Sequence, residues 1–269
     1  MKPEELKKLQ NTELKILEAV VALCEEQKIT YFLDCGTLLG AIRHDRFIPW
    51  DDDIDISMPC EDYYRFLEIA PKLLSKKFFI LNHETADNYY QPYSKVCLHG
   101  TTVLPRIWKY WDIPHGAWID IFPMFFSDSE REFRRKRRIY HLCGLLQKKN
   151  FYHSLMLQNE RRTLKSTVAY AFYSVLGIIP VRKRKKLHNR LFDYICSKKD
   201  GKYVCLCGLD ALQFEKESYL GPICYHAFEQ FSFRVPSDYD TVLRVEYGDY
   251  MQIPPENKRG NHGEMILEL

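Results

Sequence analysis

Four aspartates fall within five residues in "DDDID", at Asp51, Asp52, Asp53 and Asp55, and the run is framed by Trp50, Ile54 and Ile56. In an extended strand, residues two apart share a face, so Asp53 and Asp55 project side by side while Ile54 and Ile56 turn to the core. Two carboxylates held that close repel, and burying them without a partner raises a pKa or destabilises the sheet. A divalent cation removes the conflict. Mg²⁺, with Mn²⁺ as a substitute, suits the pair: it takes a few carboxylates, keeps some waters and completes its octahedron with phosphate oxygens. A third acid, Asp120, stands between Ile119 and Ile121 in "WIDIFPM" and would complete a one- or two-ion set. Upstream, Gly36 permits close backbone approach and Thr37 offers a hydroxyl at a predicted helix N-terminus, together an anion-binding turn. A lone D-x-D is more often an exposed turn than a site. The order Gly-Thr turn, helix, D-x-D strand and later strand acid shifts the reading toward metal-assisted phosphate chemistry.

The elements that must position these groups follow from the hydrophobic pattern. Pro3–Lys28 reads as an amphipathic helix, with Leu6, Leu9, Ile16, Leu17, Val20 and Leu23 on one face and Glu13 as its charged interruption. "ITYFLD" is then a strand, Thr37 caps a helix through "LLGAIRH", "IDISM" is a second strand, and Cys60–Leu74 is helical. Four further strands are expected at Lys77–Leu81, Ser94–Leu98, Thr101–Pro105 and Ala117–Met124. The pattern predicts an α+β fold: a small mixed sheet with flanking helices over residues 1–127, then a mostly helical region over 128–269. In that second part a helical stretch runs to about Ser197, followed by a strand at "EQFSFRVP" and a helix ending at Gly248.

Lys and Arg exceed Asp and Glu by 39 − 36 = 3, so the average charge says little about partners. The basic residues are clustered, in "RRKRR" (Arg134–Arg138) and "RKRKK" (Arg182–Lys186). Such runs are usually solvated faces, and without a reading module they predict no nucleic-acid partner. Nine dispersed cysteines and no secretory apolar segment after Met1 point to reduced thiols in a cytoplasmic compartment. A zinc site from Cys196, Cys205, Cys207 and Cys224 is the alternative use. Residues 166–181 carry no charged side chain and have basic flanks. They are too short to span a bilayer comfortably, and are either a buried helix or a segment lying on an anionic membrane surface.

Three blocks, "DCGTLLGAIRHDRFIPWDDDIDISM", "WIDIFPM" and "EYGDYMQIPPENKRGNH", resemble motifs of the LicD family, and together they span residues 34 to 262. That family is similar to polymerase-beta-like nucleotidyltransferases; here Thr37 replaces the usual serine, and the spacer before Asp53 is long. The resemblance implies transfer of phosphocholine from CDP-choline to a glycan or lipid-linked glycan acceptor, of teichoic-acid or lipopolysaccharide type. Asp53, Asp55 and Asp120 would be the catalytic and metal-binding acids. Arg43 and Lys95 would contact phosphate, with His44 a weaker candidate. Tyr247, Asp249 and Tyr250 would close the nucleotide pocket, and Lys258, Arg259 and His262 would lie near phosphate or acceptor. Choline calls for an aromatic cage, for which Trp108, Tyr110, Trp111, Trp118, Tyr89, Tyr90 and Tyr93 are candidates. The implied location is the inner face of a bacterial plasma membrane. Transfer of another CDP-linked alcohol phosphate, ribitol or glycerol, and a catalytically silent nucleotide-binding scaffold remain alternatives.

Overall fold

A computed structural model describes residues 1–146, 148–157, 163–206, 212–260 and 265–269. Helix α1 (Pro3–Gln27) starts on Pro3, where a missing N–H does no harm, and stops where Lys28 turns left-handed at φ 53°. Its buried face includes Leu9, Ile16, Leu17 and Val20, and also Gln10 and Glu13. The next strand, β1 (Phe32–Leu33), is far shorter than the predicted one. Helix α2 (Cys35–His44) begins earlier than predicted: Asp34 is its N-cap, accepting from the Cys35 N–H at 2.9 Å. Thr37 therefore lies inside the first turn, not at the cap, and "Gly-Thr" is helix rather than a free turn.

The chain continues through β2 (Asp55–Pro59), α3 (Cys60–Leu73), β3 (Phe78–Leu81), β4 (Ser94–Leu98), β5 (Thr102–Pro105) and β6 (Ala117–Ser127). Each expected strand and helix is present within a few residues. The sheet order is β1-β2-β6-β4-β3. Within it β2 and β6 run parallel, and the other pairs are antiparallel. Parallel neighbours need a long crossover; here residues 60–116 supply it. All eleven residues of β6 are buried, which places the middle of the core along this strand.

Four helices follow: α4 (Glu130–Leu145), α5 (Lys149–Leu157), α6 (Leu164–Leu176) and α7 (Val181–Cys196). The rest is more strand-rich than the pattern predicts: β7 (Tyr203–Leu206), β8 (Gln213–Glu215), the short α8 (Lys216–Leu220), β9 (Cys224–Phe228), β10 (Phe231–Val235), α9 (Tyr239–Tyr247) and β11 (Met265–Glu268). Strand β7 pairs with the distal half of β6 and β11 pairs with β5, so the second half extends the sheet system of the first. Helix α9 ends at Gly248, φ 69°, as the sequence predicts.

Two charged runs are less uniform than a solvated face. Lys136, within "RRKRR", is buried and donates to the Phe126 carbonyl at 2.7 Å, tying α4 to β6. Arg184, within "RKRKK", donates to the carbonyls of Leu146 at 2.8 Å and Ile179 at 3.1 Å, fastening the corner between α6 and α7. The expectation of fully reduced thiols fails at two cysteines. Cys60 opens α3, Cys196 closes α7, and a disulfide joins them across a Cα–Cα distance of 5.5 Å. That bridge also removes Cys196 from any zinc set. Cys207 lies outside the described residues, and no ion-binding group among the described residues includes Cys205 or Cys224.

Candidate active site

The parallel pairing of β2 with β6 puts Asp55 opposite Asp120 in register. Asp53 reaches the same place from just before β2, and ligand oxygens of Asp53, Asp55 and Asp120 lie within 4.8 Å of one another. The flanking Ile54, Ile56, Ile119 and Ile121 have no exposed surface and anchor the two strands in the core. Backbone bonds fix the approach: Asp120 N–H donates to the Ile54 carbonyl at 2.8 Å, and Asp34 N–H to the Asp55 carbonyl at 3.1 Å. The buried Thr37 hydroxyl accepts from Asp55 N–H at 2.9 Å. Thr37 thus serves the site by holding the strand that carries the acid, while Gly36 makes room for a fourth carboxylate, that of Asp51. A Cβ at position 36 would stand 2.6 Å from Asp51 Oδ2.

Burial pushes the Asp55 carboxyl well above the usual range, and the neighbouring charges of Asp53, Asp120, Asp51 and Asp34 push it further. One cation answers part of this. Lys95, on β4, is the register partner of Asp120, and its ammonium bonds to Asp120 Oδ1 with both side chains almost fully buried. The same ammonium is boxed by the rings of Trp118 at 4.5 Å, Tyr93 at 5.5 Å and Trp108 at 5.7 Å. Three of the residues considered for a choline cage therefore enclose a lysine of the chain itself. Of the others, Tyr89 and Tyr90 pack against Trp111, with centroids 6.1 and 4.9 Å away, and Tyr110 is exposed.

Among the described residues, the three carboxylates share the site with the Lys95 ammonium, and Asp51 and Asp52 lie against Asp53. Hard oxygen donors in this number and at this spacing fit Mg²⁺. The chemistry of the donor set therefore matches the cation predicted from the sequence.

Behind this group lies Glu13, which sequence reasoning met only as a blemish on an apolar helix face. It is fully buried, and neither carboxylate oxygen has a hydrogen-bond partner among the described residues. Burial raises its pKa well above the ordinary value, and Asp53, Asp52, Asp51 and Asp120 add to the shift. Nearby, Gln10 donates to the Asp51 carbonyl at 2.9 Å, so α1 backs the whole acidic loop. A second group missed from sequence is Asp34, Cys35 and Glu246, with ligand atoms within 4.8 Å of one another. Burial lifts Asp34 to about 6 and Glu246 to about 7. Tyr219 donates to Asp34 Oδ1 at 3.1 Å. The charged interruption was the available signal for Glu13; no local signal marked Glu246.

The other predicted residues divide. Tyr247 keeps a partly exposed ring, while burial, with Glu246, Cys35 and Asp55 behind it, raises its hydroxyl pKa. It stands between the two acidic groups. Arg43 donates to His44 Nε2 at 2.9 Å and to the Tyr250 carbonyl at 2.7 Å, clasping α2 to the C-terminal block. The Tyr250 hydroxyl donates to Asp240 at 2.8 Å. Asp249 and Lys258 are exposed. Arg259 stacks 4.5 Å over the ring of Trp50, the residue preceding the acidic run. His262 lies outside the described residues.

A mixed sheet that presents a D-x-D pair beside a third acid on the parallel neighbour defines a nucleotidyltransferase-type domain. Comparison with known proteins agrees: residues 28–143 match "LicD/FKTN/FKRP, nucleotidyltransferase domain". The chain is 30% identical over 267 residues, 97% of each chain, to the lipopolysaccharide cholinephosphotransferase LicD of Haemophilus influenzae. A shorter match, 46% over 43 residues, relates 16% of the chain to 9% of the human ribitol 5-phosphate transferase FKRP. Another, 46% over 50 residues, covers 19% of the chain and 16% of the uncharacterized protein RT0683 of Rickettsia typhi. The chain belongs to the LicD/FKTN/FKRP family.

Proposed function

We propose that this protein transfers phosphocholine from CDP-choline to a hydroxyl of a cell-surface glycan precursor, of lipopolysaccharide or teichoic-acid type, with release of CMP. The convergence of Asp53, Asp55 and Asp120 carries the reading, and the near full-length similarity to a cholinephosphotransferase supports the donor. Mg²⁺ held by these three acids would supply charge neutralisation for the donor diphosphate and the departing CMP. The acceptor hydroxyl attacks the choline-side phosphorus and gives up its proton through a carboxylate of the acid group to solvent; a new P–O bond forms, and the bond to CMP breaks with its electrons leaving on the CMP phosphate.

The chain's own part is positioning. Lys95 orients Asp120, and the rings of Trp118, Tyr93 and Trp108 keep water from that ion pair. Thr37 fixes the backbone of Asp55. Tyr247 and the stacked Trp50–Arg259 pair flank the acids and would bound the nucleotide.

The test is CMP release from a panel of CDP-alcohols, with Mg²⁺ or EDTA and with or without a glycan acceptor. Cation- and acceptor-dependent release from CDP-choline, lost in Asp55→Asn and Asp120→Asn, is expected. Preference for CDP-ribitol would move the donor to the chemistry of the FKRP-like relatives, and release from none of the donors would end the transferase reading.

A further inference from the structure

We infer that α6 and the corner leading into α7 form a surface that seats this protein on an anionic lipid bilayer. The first observation is an apolar stripe. Leu164, Val168, Phe172, Val175 and Ile178 recur at helical spacing, and each is more than half exposed, from 59% to 82%. A helix of a water-soluble domain ordinarily turns such a stripe inward. Here the inward face is the other one: Ser166 and Tyr173 are buried, and the Tyr173 ring stacks on Tyr152 of α5 with centroids 4.9 Å apart. Of the two readings the sequence allows for residues 166–181, the buried helix is therefore not the one the fold adopts.

The second observation is charge. Between Glu160 and Asp193 the chain carries nine Lys or Arg residues and no Asp or Glu. Within that stretch, Lys165 at one end of α6 and Arg182, Lys183, Lys186 and Arg190 on α7 are exposed. An apolar stripe bracketed by cations and free of acids matches acyl chains beneath phosphate headgroups. An acidic protein groove would match the cations but not a stripe of this width standing clear of the body.

The geometry selects lying over spanning. Among the described residues no single helix is long and apolar enough to cross a membrane, and α6 and α7 meet that length and composition only together, across their bend. The 13 residues of α6 reach about 20 Å, short of the roughly 30 Å hydrocarbon core. The axis then turns by 94° into α7, at a corner pinned by Arg184 through its bonds to Leu146 and Ile179. With α6 flat in the interface, Arg182 and Lys183 stand at headgroup depth in the first turn of α7.

The experiment is flotation of the full chain with vesicles of pure phosphatidylcholine and of phosphatidylcholine with 30% phosphatidylglycerol, at about 0.15 M salt. Binding to the anionic vesicles is expected, at least roughly tenfold above the neutral ones. Arg182→Glu with Lys183→Glu should lower it by roughly tenfold or more. Val168→Ser with Phe172→Ser should abolish it while leaving the melting temperature and CMP release in the presence of a soluble acceptor unchanged, since neither residue belongs to the acid group. Equal binding to both vesicle types, or no binding to either, would overturn the inference. So would a dimer in sedimentation that the Val168/Phe172 variant dissolves, since a second copy would then be what covers the stripe.

Discussion

Asp55→Asn should make the cation-free protein more stable while removing its activity. Asp55 faces the Asp53 and Asp120 carboxylates with ligand oxygens within 4.8 Å. At that separation and an effective dielectric of about 20, each ionised pair is unfavourable by about 3.5 kcal/mol. Lys95 offsets part of this at Asp120, and proton uptake by the raised Asp55 carboxyl limits the rest. A net relief of about 1–3 kcal/mol is expected at pH 8 in EDTA, or roughly 2–10 °C in Tm for a chain of this size. Asparagine keeps the side-chain volume, and the Thr37 bond to the residue 55 N–H is untouched. Adding Mg²⁺ at about 1,000 times its Kd stabilises the wild type by about 4.1 kcal/mol, and the variant, missing one of three ligands, by much less. The order of the two melting temperatures should therefore invert between EDTA and Mg²⁺. Differential scanning fluorimetry across an Mg²⁺ titration measures it. A variant that melts lower than wild type in EDTA, and gains the same shift with Mg²⁺, would refute both the repulsion and the cation site.

Three other outcomes follow from the same geometry. Lys95→Met leaves Asp120 buried without its counter-ion, and removing one partner of a buried pair is destabilising by about 3–5 kcal/mol; thermal melts in EDTA should show this loss, and Mg²⁺ should restore part of it. Glu246, lifted to about 7 by burial, holds its proton more tightly folded than unfolded, so its contribution to stability is full below about pH 4.5 and is lost as pH rises through about 7. Glu246→Gln should accordingly flatten the Tm–pH curve between pH 5 and 8 and raise stability at pH 8 by on the order of 3 kcal/mol, read as a higher Tm; an unchanged slope would count against the buried carboxyl. Reduction of the Cys60–Cys196 bridge, or Cys60→Ser with Cys196→Ser, should lower stability by about 2–4 kcal/mol in protein purified without reductant, and a Tm indifferent to dithiothreitol would show that the bridge constrains nothing.

Much of the site could be read before the fold because its acids obey a local rule. Strand periodicity alone separates Asp53 and Asp55 from Ile54 and Ile56, and places Asp120 between two core isoleucines. What the sequence could not show depended on partners far along the chain. Thr37 looks like a cap because threonine caps helices, but Asp34 takes that place and Cys35 begins the helix at a left-handed φ of 47°. The aromatic box draws Tyr93, Trp108 and Trp118 from separate segments around Lys95, so no spacing reveals it. Glu13 stood in plain view on α1, and its meaning came only when that helix was laid against the acidic loop. Strands β7, β8 and β11 are three or four residues long and owe their shape to the strands they join.

The parallel pairing of β2 with β6 also sets the order in which this protein can come to exist. Asp55 and Asp120 face each other only after a crossover of more than fifty residues has closed, and such non-local contacts form slowly. A nascent chain thus carries Asp53 and Asp55 together but without Asp120, and has no complete three-acid set for a divalent ion. The repulsion with Asp120 is imposed only when the two strands dock. Folding quality is in this way checked by the reaction centre itself: a molecule whose central strands are misaligned by one residue turns an isoleucine where an aspartate should stand, and has no grip on its cation.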